Sequence, residues 1–108
     1  MMLEKEENWK IKDAIWEFIS YLRTVKKTPH NTEVSYEHDL RKMERYLAEQ
    51  QVTELNAVTE TFLNSYMLYL EREQMAPATL SRNVAAIRKF YQYVLKQHYV
   101  SSDPSENL

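Results

Sequence analysis

The sequence predicts an all-α fold of four helices. Apolar residues recur at three- and four-residue steps in four separate segments, prolines or clusters of small polar residues fall between them, and no stretch of useful length alternates like a strand. The complete absence of glycine agrees with this, because tight β-hairpins prefer that residue in their turns. At 108 residues and 44% hydrophobic content, the chain has the size of one compact domain that can bury a core without disulfides or metal.

The first helix is expected over about residues 10–25, with Ile11, Ile15, Phe18, Ile19 and Leu22 on one face. Pro29 disfavours helix at Thr28, and Asn31 or Thr32 is the expected cap of a second helix reaching about residue 50. Tyr36, Leu40, Met43 and Leu47 form its apolar stripe, with His38, Arg41, Lys42 and Arg45 opposite. Residues 52–58 read as a plain connection. Thr59 followed by Glu60 marks the start of a third helix running to Arg72, with Phe62, Leu63, Tyr66, Met67 and Leu70 inward. Pro77 suits the first turn of a fourth helix reaching about residue 97, whose expected stripe is Leu80, Val84, Ile87, Tyr91, Val94 and Leu95. Residues 1–9 read as a flexible acidic end, residues 10–100 as the helical domain, and the polar residues 101–108 as a linker.

Composition excludes several classes of function. Without cysteine there is no disulfide framework, thiol nucleophile or sulfur-ligated zinc, and without glycine there is no phosphate-cradling loop or dinucleotide fingerprint. The apolar runs are too short and too interrupted by charge to span a bilayer, and residues 1–10 lack the pattern of a secretory signal. A soluble, cytoplasmic protein is expected, with no membrane partner.

The net charge of −2 hides an uneven distribution. Residues 48–75 carry one base and five acids, whereas residues 76–100 carry four bases and no acid. On a helical wheel Arg82, Lys89 and Lys96 fall within roughly 40° of one another, forming a basic edge opposite the Leu80-Val84-Ile87 stripe. Thr79, Asn83 and Ala86 nearby are small or hydrogen-bonding, which would let a helix approach base pairs, and Arg and Asn are the side chains that pair bidentately with guanine and adenine. A second basic group, Lys26 and Lys27 with Thr28, His30, Asn31 and Thr32, sits where a helix N-terminus would attract phosphate, followed by Arg41, Lys42 and Arg45 along that helix. Taken singly, each group also fits a solvated face or a simple turn; two such groups on two helices favour a polyanion.

No catalytic centre is expected. His38 and Arg41 flank Leu40 of the core stripe and so point outward on a convex surface, which is no place for phosphodiester chemistry. His30, His38 and His98 lie on separate segments without a carboxylate at ligand spacing, so neither a metal nor any other cofactor is expected. Most aromatic residues, Trp16 and Phe18 among them, fall on or beside apolar faces and read as core. A helical protein-interaction module anchored by Trp9, Tyr69 or Tyr93, with merely solvated basic faces, is the alternative.

The ordered series Asn31-Thr32, Tyr36, Asp39-Leu40, Tyr46-Leu47, then Thr59, Phe62, Tyr66, Leu70, then Pro77-Ala78-Thr79, Arg82, Ile87-Arg88-Lys89-Phe90-Tyr91, Val94-Leu95, then Asp103-Pro104, resembles the N-terminal core-binding domain of tyrosine recombinases, the phage-integrase and Xer-like family. The series covers about residues 11–107. The chain departs from it at Gln74-Met75-Ala76, where members often place glycine. The resemblance implies a four-helix orthogonal bundle, SAM-like, that forms one half of a clamp around a double-stranded recombination half-site in DNA integration and recombination. The catalytic domain of the same polypeptide would form the other half, and other recombinase protomers would complete the synapse. It also implies that the second and fourth helices face the major groove. Carried over residue by residue, the DNA-binding candidates are Lys27, His30, Asn31, Thr32, Ser35, Thr79, Arg82, Asn83 and Lys89. The family's catalytic residues belong to the larger domain, so this chain itself is expected not to be an enzyme.

Overall fold

A computed structural model describes residues 8–108. Most of the N-terminal acidic stretch, residues 1–7, lies outside the described residues. The chain forms α1 (Ile11–Thr24), α2 (His30–Glu49), a 3-10 turn (Leu55–Ala57), α3 (Glu60–Arg72) and α4 (Pro77–Lys96). Among the described residues the only β-type pairing is an isolated antiparallel bridge between Lys10 and Glu54. The all-α four-helix architecture read from the sequence is the one observed.

α2 and α4 are the central pair: α1 packs on both, and α3 packs on both. Ile11, Ile15, Phe18 and Leu22 of α1, Leu40, Met43 and Leu47 of α2, Leu63, Tyr66 and Leu70 of α3, and Ile87, Phe90, Tyr91 and Val94 of α4 fill one continuous core. Aromatic edges join the helices: Phe18 meets Phe90 at 5.8 Å between centroids and Tyr93 at 5.4 Å, while Tyr46 meets Tyr66 at 5.3 Å. Such tilted pairs contribute about 0.5–1.5 kcal/mol each beyond their buried area.

Helix starts follow local chemistry, with one correction. Thr59 caps α3, its hydroxyl accepting the Phe62 N–H at 3.2 Å, and Pro77 opens α4. Neither Asn31 nor Thr32 caps α2. The helix begins two residues sooner than expected, with Pro29 as the N-cap and no side-chain cap. Proline supplies the extended backbone before the helix and its carbonyl accepts the Glu33 N–H at 3.0 Å, so Asn31 and Thr32 are drawn into the first turn.

Helix ends are built without glycine. Lys27, Gln51, Gln74 and His98 take the left-handed conformation, with φ between 54° and 64°. The last three close α2, α3 and α4 in the same Schellman pattern. The N–H groups of Val52, Met75 and Tyr99 reach back to the carbonyls of Leu47, Leu70 and Val94, and those of Gln51, Gln74 and His98 to Ala48, Glu71 and Leu95. In each case an apolar residue follows the left-handed one and packs on the core. Gln74 thus makes the turn before α4 with a side chain present.

Two stretches expected to be irregular are ordered against the body. Val52, Leu55 and Val58 of the α2–α3 connection are buried, and Trp9, Lys10 and Ile11 run beside it: Leu55 N–H donates to the Trp9 carbonyl at 2.7 Å and Ile11 N–H to the Thr53 carbonyl at 2.9 Å. The polar tail also folds back. Ser105 is fully buried, and both its N–H (2.8 Å) and its hydroxyl (2.6 Å) donate to Asp103 Oδ1, while Leu108 packs on the core.

Candidate nucleic-acid interface

The apolar arc of α4 is turned from the one expected. Asn83, Ala86, Ile87, Phe90, Tyr91 and Val94 are buried, while Leu80 and Val84 are half-buried and Leu95 is exposed. The reason is that α4 is gripped by α1, α2 and α3 together, so its buried arc is set by three neighbours. Two proposed contacts move with it. Asn83 is only 2% exposed, its Nδ2 donating to the Thr79 carbonyl at 2.9 Å, and Thr79 is half-buried. The small residues on the outer surface are instead Ala78 and Ala85, which alternate with Arg82 and Lys89 along one exposed stripe at three- and four-residue spacing.

Lys89 meets lysines from elsewhere. Lys26, just past the end of α1, and Lys89 and Lys96 of α4 line a single groove of about 470 Å³ whose wall includes Phe18, Tyr21 and Tyr93. None of these lysines, nor Lys27, is paired with a carboxylate among the described residues. Burial and the neighbouring Tyr99, with a smaller contribution from the Glu17 charge, push the Tyr93 phenol up to about 12. At the other end of the edge Arg82 is held by Asp39 of α2. Its Nε donates to Oδ2 at 2.8 Å and its Nη2 to Oδ1 at 2.9 Å, across the α2–α4 contact. Hydrogen bonding to Asp39, then its charge, raises the Arg82 pKa above the ordinary value, so the guanidinium stays charged.

The start of α2 supplies the remaining candidates. Lys27, His30, Asn31 and Thr32 are exposed and Ser35 is half-buried. The first backbone bond of the helix is that of Glu33, which leaves the three preceding N–H groups without helical carbonyl partners. Glu33 itself is turned inward and bound by Arg23 of α1, whose Nε donates to Glu33 Oε2 at 3.0 Å. Arg41 points elsewhere: it donates to the Lys12 carbonyl at 3.2 Å and to Glu44 at 2.8 Å, at the opposite end of α1, about 20 Å along the helix from Lys26. Lys89 and Lys96 were thus legible as one edge of α4, but Lys26 was not legible as part of it, because only the meeting of the α1 end with α4 brings it beside them.

Among the described residues no three His, Cys, Asp or Glu side chains come together as metal ligands, and no helix is long and apolar enough to cross a membrane. Trp9, Tyr69 and Tyr93, the anchors of the alternative reading, pack against the core. Trp16, read as core, is 61% exposed, since the buried arc of α1 follows Ala14, Ile15, Phe18 and Ile19.

Residues 15–98 match the family model described as phage integrase, N-terminal SAM-like domain. The chain belongs to that family. Curated relatives agree: it is 31% identical over 87 residues to the tyrosine recombinase XerC of Halalkalibacterium halodurans, covering 81% of this chain and 29% of that protein. With the XerC of Listeria welshimeri the identity is 28% over 88 residues, covering 82% and 29%. This SAM-like domain therefore spans less than a third of the length of these relatives. Its fold is also that of the solved N-terminal domain of a phage integrase/site-specific recombinase from Haloarcula marismortui, with a TM-score of 0.84 at 17% identity over 93% of this chain and 94% of the other. The resemblance read from the ordered motifs is the family found.

Proposed function

We propose that this SAM-like domain binds duplex DNA as one half of a recombinase clamp, through the start of α2 and the outer edge of α4. The convergence of Lys26, Lys89 and Lys96, from separate parts of the chain, on one groove free of described carboxylate partners carries the reading. Three ammonium groups without carboxylate partners among the described residues, around one concavity, form a polyanion footprint even on a chain whose net charge is −2. Lys27, His30, Asn31 and Thr32 add backbone N–H groups and side-chain donors suited to phosphate oxygens. Membership of the phage-integrase family supports recombination as the process served. In this reading strand cleavage belongs to a catalytic domain of the same polypeptide, and other protomers complete the assembly.

Fluorescence anisotropy of a labelled duplex titrated with the 108-residue chain tests the proposal. The expected result is weak binding at low salt, with log K falling against log salt at a slope of roughly −3 and each Lys→Gln change at positions 26, 89 and 96 removing about 0.9 of it. Absence of binding at low salt, or a slope indifferent to all three substitutions, overturns it.

A further inference from the structure

Resting on that reading, we infer that Arg82 is a specificity-determining residue aimed at the major-groove edge of guanine, and that Asp39 is its positioning residue. A guanidinium carries five N–H donors in one plane. Asp39 takes the Nε and Nη2 side of that plane with both carboxylate oxygens. The opposite end, formed by Nη1 and the second hydrogen of Nη2, meets no acceptor among the described residues. The Asp39 side chain is 2% exposed and that of Arg82 48%, so the fork is gripped from inside the domain and open outside it.

The free end has the geometry that fits a pair of acceptors such as guanine O6 and N7. Holding the long side chain in place moves its ordering entropy from the binding step to folding. Its immediate surroundings suit close approach, since Ala78 and Ala85 flank Arg82 on the exposed stripe and present almost no bulk. Charge favours a base edge over a phosphate. Arg82 and Asp39 form a neutral pair, which adds direction but little long-range attraction, whereas Lys89 on the same stripe, without an acidic partner among the described residues, supplies charge without direction.

The test compares two labelled 20-base-pair G·C duplexes, one natural and one with 7-deazaguanine at every guanine, which removes N7 and leaves the backbone intact. The intact chain is expected to bind the natural duplex about 5-fold more tightly or better. Arg82→Lys keeps the charge and the partner of Asp39 but loses the planar fork, and should bring the ratio to about one with the salt slope unchanged. Asp39→Asn should also abolish discrimination, while total affinity holds or rises because a negative charge is removed. Loss of a merely structural clip would weaken binding to both duplexes alike and keep the ratio. Equal binding of both duplexes by the intact chain overturns the inference and leaves the DNA-binding reading standing. Discrimination that survives Arg82→Lys, or a salt slope that falls by about one in Arg82→Gln with no 7-deazaguanine effect, overturns it in favour of a phosphate contact. Failure to bind either duplex overturns both readings.

Discussion

The indole of Trp9 lies on the phenol ring of Tyr99, with centroids 4.0 Å apart and planes within 21° of parallel. One residue precedes α1 and the other follows α4, so the stack ties the two ends of the helical body together. Trp9 is held at the same time through its carbonyl, which accepts from Leu55.

Replacing Trp9 by alanine therefore removes both the stack and partly buried apolar area, and should lower stability by about 1–3 kcal/mol. Urea denaturation checks this. Tyr99→Ala should cost a similar amount, and the double variant less than the two singles together, because both remove the same contact. In acrylamide quenching, the exposed Trp16 should respond strongly and Trp9 weakly until the stack is broken.

The Arg23–Glu33 pair makes stability depend on acid. The hydrogen bond from Arg23, followed by the opposing effect of burial and then the Arg23 charge, leaves the Glu33 carboxyl below its ordinary value of 4.5. A depressed carboxyl stabilises the fold above its unfolded pKa, and that contribution disappears as the pH falls from about 4.5 through the lower folded value. Glu33→Gln should thus melt below the intact chain at pH 7 and together with it in strong acid. Arg23 is largely exposed, so solvent screening keeps the difference modest.

Burial, and secondarily the charge of Asp103, pushes the Tyr91 phenol above its ordinary value; burial followed by Asp39 does the same for Tyr66. Neither hydroxyl has a hydrogen-bond partner among the described groups. Because the folded state holds these protons more tightly than the unfolded chain, stability is unaffected below about pH 10 and falls as the pH climbs from there through the folded value. Absorbance at alkaline pH should show Tyr66, Tyr91 and Tyr93 ionising late, with an early alkaline melt releasing them. Tyr91→Phe should leave stability at pH 7 unchanged or raise it by up to about 1 kcal/mol, since the buried hydroxyl loses water and gains nothing in return.

The helices and most of the core were legible because burial on one face imposes a period on the sequence. What periodicity could not give was the direction from which each helix is contacted. α4 is gripped by three neighbours, so Asn83 and Ala86 go inward and the outer stripe carries Ala78 and Ala85. Trp16 failed for a related reason: hydrophobicity alone suggested burial, but its position lies off the arc that α2 and α4 cover. The candidate surface was half legible. The i, i+7 spacing of Arg82, Lys89 and Lys96 is a property of the chain, but the arrival of Lys26 beside two of them is a property of tertiary packing. Asp39 was seen in the sequence as part of a family motif. Its grip on Arg82 spans 43 positions of chain, beyond any local signal.

Gln51, Gln74 and His98 each bear a β-carbon where the backbone bends the wrong way for one. Exchanging any of them for glycine relieves crowding of roughly 1–2 kcal/mol and costs about 0.4–1 kcal/mol in unfolded-chain entropy, a net gain of about 0.5–1 kcal/mol, and the effects should add because the three joints lie at different helix ends. None of the three is among the candidate DNA contacts, so a triple glycine variant would raise the melting temperature with the cationic surface unaltered. Rigidity and ligand recognition could then be adjusted in this domain as separate properties.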